Sequence, residues 1–132
     1  MSSLKRAVCA VVLASLGIAA VSAQDAIPRK EMHRVDLSGA PDMEVVVSIT
    51  ELKPGDGIPA HFHHGVETGY VVEGGMIEVP GKPPVALATG ATIMNLREVT
   101  HAGWKVVGDK TIKLVTVHIV DKGKPLYDTV KK

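Results

Sequence analysis

Cysteine and aromatic side chains are scarce in this 132-residue sequence. Cys9 is its only cysteine, and aromatic residues make up 3% of the chain. A single cysteine excludes an internal disulfide framework and a cluster of thiolate metal ligands. Any metal bound by this chain must therefore be held by histidine and carboxylate side chains.

An excess of either charge is also missing. The formal net charge is +1 with histidine neutral, and no series of aromatic residues accompanies the basic ones. Proteins that bind nucleic acids usually combine a basic surface with aromatic side chains that stack on bases. The composition therefore argues against a nucleic-acid partner.

The first 23 residues have the features of a secretory signal peptide. Lys5 and Arg6 form a basic start, residues 7–21 form an apolar run, and Ala23 ends a small-residue cleavage motif. The apolar run is too short to favour a membrane span. We predict cleavage after residue 23, a periplasmic or secreted location, and no membrane association of the cleaved chain. That chain has no cysteine, which suits an oxidising compartment.

Short extended segments separated by glycine and proline turns dominate the rest of the sequence. Residues 44–52 are rich in β-branched side chains, residues 111–120 form the longest apolar run, and no segment shows helical periodicity. Many short strands with close turns predict an all-β sandwich or barrel. The predicted strands cover residues 44–52, 58–63, 67–72, 76–79, 85–88, 91–95, 101–107 and 111–120.

One domain accounts for the chain after the signal peptide, because residues 24–132 suffice for a single hydrophobic core. We predict an N-terminal arm over residues 24–43, a β-barrel domain over residues 44–120 and an irregular tail over residues 121–132. Within the arm, only residues 34–37 resemble a strand.

Histidine and glutamate cluster near the middle of the chain. His61, His63 and Glu67 occur within seven residues. Alternate side chains of a strand lie on the same face, so His61 and His63 are neighbours and His64 faces away, near a pocket rim or in solvent. Two imidazoles and a carboxylate suit a divalent transition metal, and His101 can add a fourth ligand.

These residues resemble the first motif of the cupin superfamily, G-x5-H-x-H-x3-E-x6-G. Gly55 and Gly74 complete it around the histidines and the glutamate, without an insertion. The second cupin motif, G-x5-P-x-G-x2-H-x3-N, is matched at Gly90 and His101. Together the two motifs cover about half of the predicted mature chain.

The resemblance implies a jelly-roll β-barrel, the cupin-like double-stranded β-helix, with one metal inside it. The ligands that it implies are His61, His63, Glu67 and His101. The donor types fit Fe, Mn, Ni, Cu or Zn. Three histidines and one glutamate leave one or two coordination positions for a substrate, water or dioxygen.

Three positions depart from the second motif. Leu96 replaces its proline, Glu98 its glycine and Lys105 its asparagine. We interpret the two charged residues as surface positions. The alternative is that both lie at the mouth of the cavity and select a charged ligand.

Five further side chains are expected in or near the barrel. Tyr70 and Trp104 flank the motifs and either line the pocket or pack in the core. Met76 and Met94 are expected to fill the interior. His118 lies in the last strand, where a core or interface position is the first interpretation and a contact with a metal ligand is the alternative.

The sequence thus predicts a secreted or periplasmic metal-binding cupin. As an enzyme it is expected to be a metal-dependent dioxygenase that acts on a small, partly hydrophobic organic molecule. The alternatives are a Lewis-acid isomerase or lyase, and a non-catalytic protein that binds a metal or a small ligand. The partners expected are the small-molecule ligand and, because cupins are often dimers, a second copy of the chain.

Overall fold

The computed structural model describes residues 27–130, so the predicted signal peptide lies outside the described residues. No helix among these residues is long and apolar enough to cross a membrane. The strands are β1 (Arg29–Asp36), β2 (Met43–Leu52), β3 (Gly57–Ile58), β4 (His61–Phe62), β5 (Gly65–Glu73), β6 (Gly75–Glu78), β7 (Val85–Leu87), β8 (Thr92–Asn95), β9 (Trp104–Val107), β10 (Ile112–Asp121) and β11 (Asp128–Thr129).

Two larger antiparallel sheets enclose one main core. The first has the strand order β1-β2-β10-β5-β8 and the second β3-β9-β6-β7, while β4 pairs with β11. The core combines Leu52 and Leu114 of the first sheet with Ile58 and Val106 of the second, so the two sheets pack face to face. Neighbours in a sheet are mostly distant in sequence, as in a double-sheet jelly roll.

The alternation of side chains along β2 and β10 decides which residues face the core. Along β10, Leu114, Thr116 and His118 are buried, and the residues between them are half-buried on the other face. This is the period of two that an extended strand imposes. The predicted core position of His118 is therefore confirmed.

The N-terminal arm contains a longer strand than residues 34–37. β1 spans eight residues and pairs with β2 from Arg29↔Thr50 to Asp36↔Glu44. Most β1 side chains are exposed, because this edge strand contributes backbone hydrogen bonds rather than apolar burial. Its polar composition therefore gave little sign of a strand.

The predicted strand over residues 58–63 is interrupted. Ile58 ends β3 and His61 begins β4, with Pro59 between them. Proline has no N–H to donate to a sheet ladder, so the pairing breaks there. The prediction of one continuous strand was wrong, although His61 and His63 are both buried.

The predicted strand over residues 101–107 also begins later. Only Trp104 onward belongs to β9, because Ala102 and Gly103 have left-handed backbones with φ of 63° and 80°. This turn ends the regular pairing and leaves His101 in an isolated antiparallel bridge with His61.

Two methionines do not fill the interior. Met76 and Met94 are 40% and 64% exposed, so that prediction was wrong. Ile93 packs against the core, and the alternation of β8 turns the adjacent Met94 outward. Tyr70 is likewise half-exposed, whereas Trp104 packs against the core.

Candidate metal centre

A row of three polar side chains crosses the inner face of the five-stranded sheet. Asn95 of β8, Glu67 of β5 and His118 of β10 are direct cross-strand partners in the order Asn95↔Glu67↔His118. Directly opposed residues of antiparallel strands have close Cβ atoms. The register therefore places Glu67 between an amide and an imidazole.

Two backbone contacts bring the histidines to Glu67. The amide of His61 donates to the carbonyl of His101 at 3.1 Å, and the amide of His101 donates back at 2.9 Å. His63 follows β4 directly, and its ring lies 4.8 Å from that of His61, centroid to centroid. The ligand atoms of His61, His63, Glu67 and His101 all lie within 4.8 Å of one another.

Backbone carbonyls fix the protonation of the three imidazoles. The Nδ1 atoms of His61, His63 and His101 lie 2.8, 2.7 and 2.9 Å from the carbonyl oxygens of Pro59, Leu126 and Val99. A carbonyl only accepts, so each Nδ1 carries the proton. In neutral imidazole the other nitrogen, Nε2, then presents a lone pair. Three lone pairs therefore point into one small space.

The Nε2 atoms have no proton to share with each other. Those of His61 and His63 are 3.2 Å apart, and Glu67 Oε2 lies 3.2 Å from His63 Nε2 and 3.4 Å from His101 Nε2. Metal–ligand bonds of about 2.1 Å would place neighbouring ligands about 3.0–3.4 Å apart. His101 Nε2 is buried and forms no hydrogen bond. These donors fit a divalent cation.

Burial and mutual contact set the charges of the site. Burial lowers the pKa of His61 to about 4, and neighbouring His101 and His63 act in the same direction. Burial alone would raise the pKa of Glu67, but the contacts with His101, His118 and His63 outweigh it and hold that pKa well below its usual range. Glu67 is therefore an anion among imidazoles, as a metal ligand must be.

The pKa values of His101 and His118 shift in opposite directions. Burial would lower the pKa of His101, but the Glu67 carboxylate and the carbonyl of Val99 raise it overall. Burial lowers the pKa of His118, against the opposing effect of Glu67.

Asn95 and His118 each lie next to one oxygen of Glu67, and Asn95 forms the hydrogen bond. Asn95 Nδ2 donates to Oε2 at 2.6 Å, and His118 Nε2 lies 3.2 Å from Oε1. His118 is therefore buried, as its first interpretation predicts, and also contacts a predicted ligand, as the alternative predicts. The sequence did not indicate Asn95, because only the β5–β8 register brings it opposite Glu67.

His64 stays apart from these ligands, as predicted. Its Nε2 lies 2.7 Å from Asp128 Oδ2, and its Nδ1 lies 3.8 Å from Glu98 Oε1. Glu98 has a left-handed backbone with φ of 60°, at the position where the cupin motif has glycine. The surface interpretation of Glu98 and Lys105 is confirmed, since both are exposed.

A small apolar cavity of about 160 Å³ opens beside the ligands. It touches His61, Glu67 and His101, and Trp104 forms part of its wall. Its other walls are Ile58, Ile77, Leu87, Ile93, Asn95, Ala102, Leu114 and Thr116. A molecule in this cavity would meet the ligand group directly.

No protein-family model matches the chain, and no curated protein is significantly similar to it. Solved structures do match. The DMSP lyase DddQ from Ruegeria pomeroyi is 16% identical with a TM-score of 0.57, and the match covers 90% of this chain and 59% of the lyase. This chain therefore spans less than two thirds of that lyase.

Two further structures are similar over most of the chain. The polyketide cyclase RemF from Streptomyces resistomycificus is 25% identical with a TM-score of 0.52, and the match covers 80% of this chain and 75% of RemF. A cupin-2 domain protein from Rhodospirillum rubrum, Rru_A2000, is 12% identical with a TM-score of 0.51, and the match covers 79% of this chain and 65% of that protein.

These similarities define the class of the fold. The chain has the cupin fold, an all-β jelly roll or double-stranded β-helix, which confirms the resemblance found in the motifs. The four predicted ligands lie together inside it and could hold a metal. Their assignment as ligands, and the identity of the metal, stay predictions.

Proposed function

We infer that the protein binds one divalent first-row transition metal at His61, His63, Glu67 and His101. The convergence of three Nε2 lone pairs on one carboxylate carries this proposal. Without a cation, the lone pairs face one another at short range with no N–H group between them. A site of nitrogen and oxygen donors without thiolate suits Mn, Fe, Ni, Cu or Zn.

The reaction that these surroundings favour is of the oxygenase type, on a small organic molecule. Apart from the ligands, no residue that lines the cavity is titratable, so no independent general acid or base is at hand. Chemistry must then come from the metal, which supplies open coordination positions when it is bound. The chain's own residues hold the ligands and keep the cavity apolar.

A lyase or cyclase reaction, with the metal as Lewis acid, is the second candidate. It is favoured by the similarity to a DMSP lyase and to a polyketide cyclase, the latter 25% identical. Such a reaction needs no oxidant. Binding of a metal or small ligand without turnover is the remaining alternative.

Elemental analysis followed by oxygen uptake tests this proposal. Protein purified from its own compartment should contain one metal per chain and consume oxygen with members of a phenolic and dicarbonyl panel. The His63→Ala variant, which lacks one proposed ligand, should do neither. Turnover that continues without oxygen would support the Lewis-acid candidate instead, and an absence of stoichiometric metal would overturn the proposal.

Export to the periplasm or the medium belongs to the same proposal. It is supported by the basic start, the apolar run and the small residues up to Ala23. Edman sequencing of the exported protein should begin at Gln24. A full-length product retained in the membrane would contradict cleavage.

A homodimer is the assembly that the outer face of the five-stranded sheet favours. Val47 of β2 lies directly opposite Val117 of β10 on this face, and the pairs Val45–Ile119 and Ile49–Val115 flank it. An apolar sheet face of this kind usually packs against a partner. Light scattering should give twice the mass of the chain, and Val117→Lys should give the monomer; a monomeric parent at high concentration would contradict the dimer.

A further inference from the structure

A second, larger cavity lies beside the metal cavity. Its volume is about 940 Å³, compared with about 160 Å³ for the cavity at the ligands. Ile58 and Trp104 line both, and these residues are cross-strand partners of β3 and β9, so a paired stretch of backbone separates the two spaces. We call the larger space the end groove, because it lies where β3 ends at Ile58, β6 ends at Glu78 and β9 begins at Trp104.

The volume of the end groove suits an organic ligand. Pockets for such ligands usually measure about 300–1,000 Å³. The metal cavity is below this range, whereas the end groove lies within it. The end groove therefore has room for a ligand of its own.

The charges of the end groove cancel. Its charged side chains are Lys105 and Glu78, which are cross-strand partners with 3.0 Å between Nζ and Oε2. An anionic ligand would compete with Glu78 for Lys105, and a cationic ligand would compete with Lys105 for Glu78. A neutral ligand leaves the pair intact.

The remaining surface of the end groove suits a flat, apolar body. Pro59, Pro80, Ala60 and Val130 line it together with Trp104. Indole and pyrrolidine rings present flat apolar faces that pack well against an aromatic ring. Gly103 and Gly57 add backbone without side chains, which leaves room beside these faces.

We propose that the end groove binds a neutral aromatic molecule. This binding does not rest on the proposed metal function, because no predicted metal ligand lines the end groove. The two proposals can therefore fail separately.

Trp104 provides a direct readout, because it is the only tryptophan in the chain. Its indole N–H gives a single signal in a ¹⁵N NMR spectrum. We would titrate three probes of matched size: 2-naphthalenemethanol, which is neutral, 2-naphthoate and 2-naphthylmethylammonium. The neutral alcohol should shift the signal saturably, and both ions should bind at least fivefold more weakly. An ion that binds as tightly as the alcohol, or no saturable shift with the alcohol, would overturn the proposal.

The same titration on His63→Ala separates this proposal from the metal function. The alcohol should bind this variant as it binds the parent. If binding is lost with the ligand histidine, the probe depends on the metal centre, and the end groove is not its site. If the parent holds no metal but binds the alcohol, the metal function fails and the end groove stands.

A matched pair of substitutions then locates the probe. Ala60→Phe fills the end groove and should weaken binding of the alcohol at least tenfold. Ala86→Phe makes the same change on exposed β7, outside both cavities, and should leave binding unchanged. Val130→Phe, at a lining position that is 45% exposed, repeats the test if Ala60→Phe does not fold. Unchanged affinity in a folded, groove-filling variant would overturn the proposal.

Discussion

At the scale of the residue, the position of one proton on each imidazole determines what the site can bind. His61, His63 and His101 each donate Nδ1–H to a backbone carbonyl, which leaves Nε2 as the ligand atom. Hydrogen bonds of this kind orient histidine ligands in metal sites and fix their tautomer. The backbone therefore leaves three Nε2 lone pairs available to the proposed metal.

Glu67 is oriented by a side-chain hydrogen bond. Asn95 donates to Oε2, the oxygen that faces the histidines, while His118 lies beside the other oxygen. The Asn95 bond therefore favours the rotamer in which the carboxylate presents Oε2. Such partners contribute to metal affinity although they do not touch the metal.

Replacement of Asn95 by Ala should weaken metal binding without removing it. The change deletes the 2.6 Å bond to Oε2 and frees the carboxylate to rotate. Loss of such a partner usually costs about 10–100-fold in metal affinity. Chelator competition measures this loss, with Thr92→Ala, at an exposed site on the same strand, as the control. An unchanged affinity in Asn95→Ala would show that Glu67 needs no support.

The sequence indicated the four proposed ligands but not the residues that contact Glu67 across the sheet. His61, His63 and Glu67 are close in the chain, so strand alternation and the cupin motif were enough to group them. Asn95 and His118 reach Glu67 only through the register of β8, β5 and β10, which no local pattern specifies. Local spacing predicts neighbours along a strand, whereas cross-strand neighbours depend on the assembled sheet.

At the scale of the element, short segments rather than long strands hold the site. β4 has two residues and pairs with β11 of the C-terminal tail. Two residues before β11, the carbonyl of Leu126 accepts the hydrogen bond from His63 Nδ1. Leu126 and Tyr127 are buried, so this tail packs into the core. Its strand has only two residues, both polar, and gave no sequence signal, whereas the long apolar strands β2 and β10 were evident.

Gly74, the last glycine of the first cupin motif, lies close to the backbone of a neighbouring segment. A Cβ atom at Gly74 would lie 2.3 Å from the carbonyl oxygen of Leu87 and 2.5 Å from the amide of Thr89. Both are backbone atoms, so a side chain would force the strands apart. Glycine is required here for space rather than for a left-handed conformation.

Gly74→Ala should therefore lower the free energy of unfolding by about 2 kcal/mol or more, because overpacking of this kind costs about 1–3 kcal/mol. Gly81→Ala is the matched control. Gly81 has φ of 78° but open space around its Cβ position, so its substitution costs only backbone strain of about 1–2 kcal/mol. Urea unfolding compares the two variants. A Gly74→Ala variant no less stable than Gly81→Ala would contradict the steric explanation.

At the scale of the whole molecule, the proposed metal connects parts that are distant in sequence. Its ligands come from β4, from the residue after β4, from β5 and from the turn before β9. Two sheets and the C-terminal tail meet at this point.

The global fold was predictable because the motifs imply a jelly roll and the turns separate many short strands. The interruptions at Pro59 and Gly103 were not, since they depend on how the strands meet at the site.

Metal binding should stabilise the whole fold. A ligand that binds only the folded state adds about 2.7 kcal/mol when its free concentration is 100 times the Kd. Thermal unfolding of the parent should therefore shift upward by several degrees with saturating metal, and chelation should reverse the shift. His63→Ala, measured under the same conditions, should show no shift. Equal melting temperatures of the parent with and without metal would contradict a site that forms on folding.

The central claim, that His63 and not His64 completes a buried metal site, is tested most directly by chelator competition on two variants. His63 Nε2 lies 3.2 Å from both His61 Nε2 and Glu67 Oε2, whereas His64 pairs with Asp128. We predict that His63→Ala loses most of the metal affinity of the parent and that His64→Ala retains one metal per chain at nearly unchanged affinity. Loss of the metal in His64→Ala, with retention in His63→Ala, would contradict the assignment of the site.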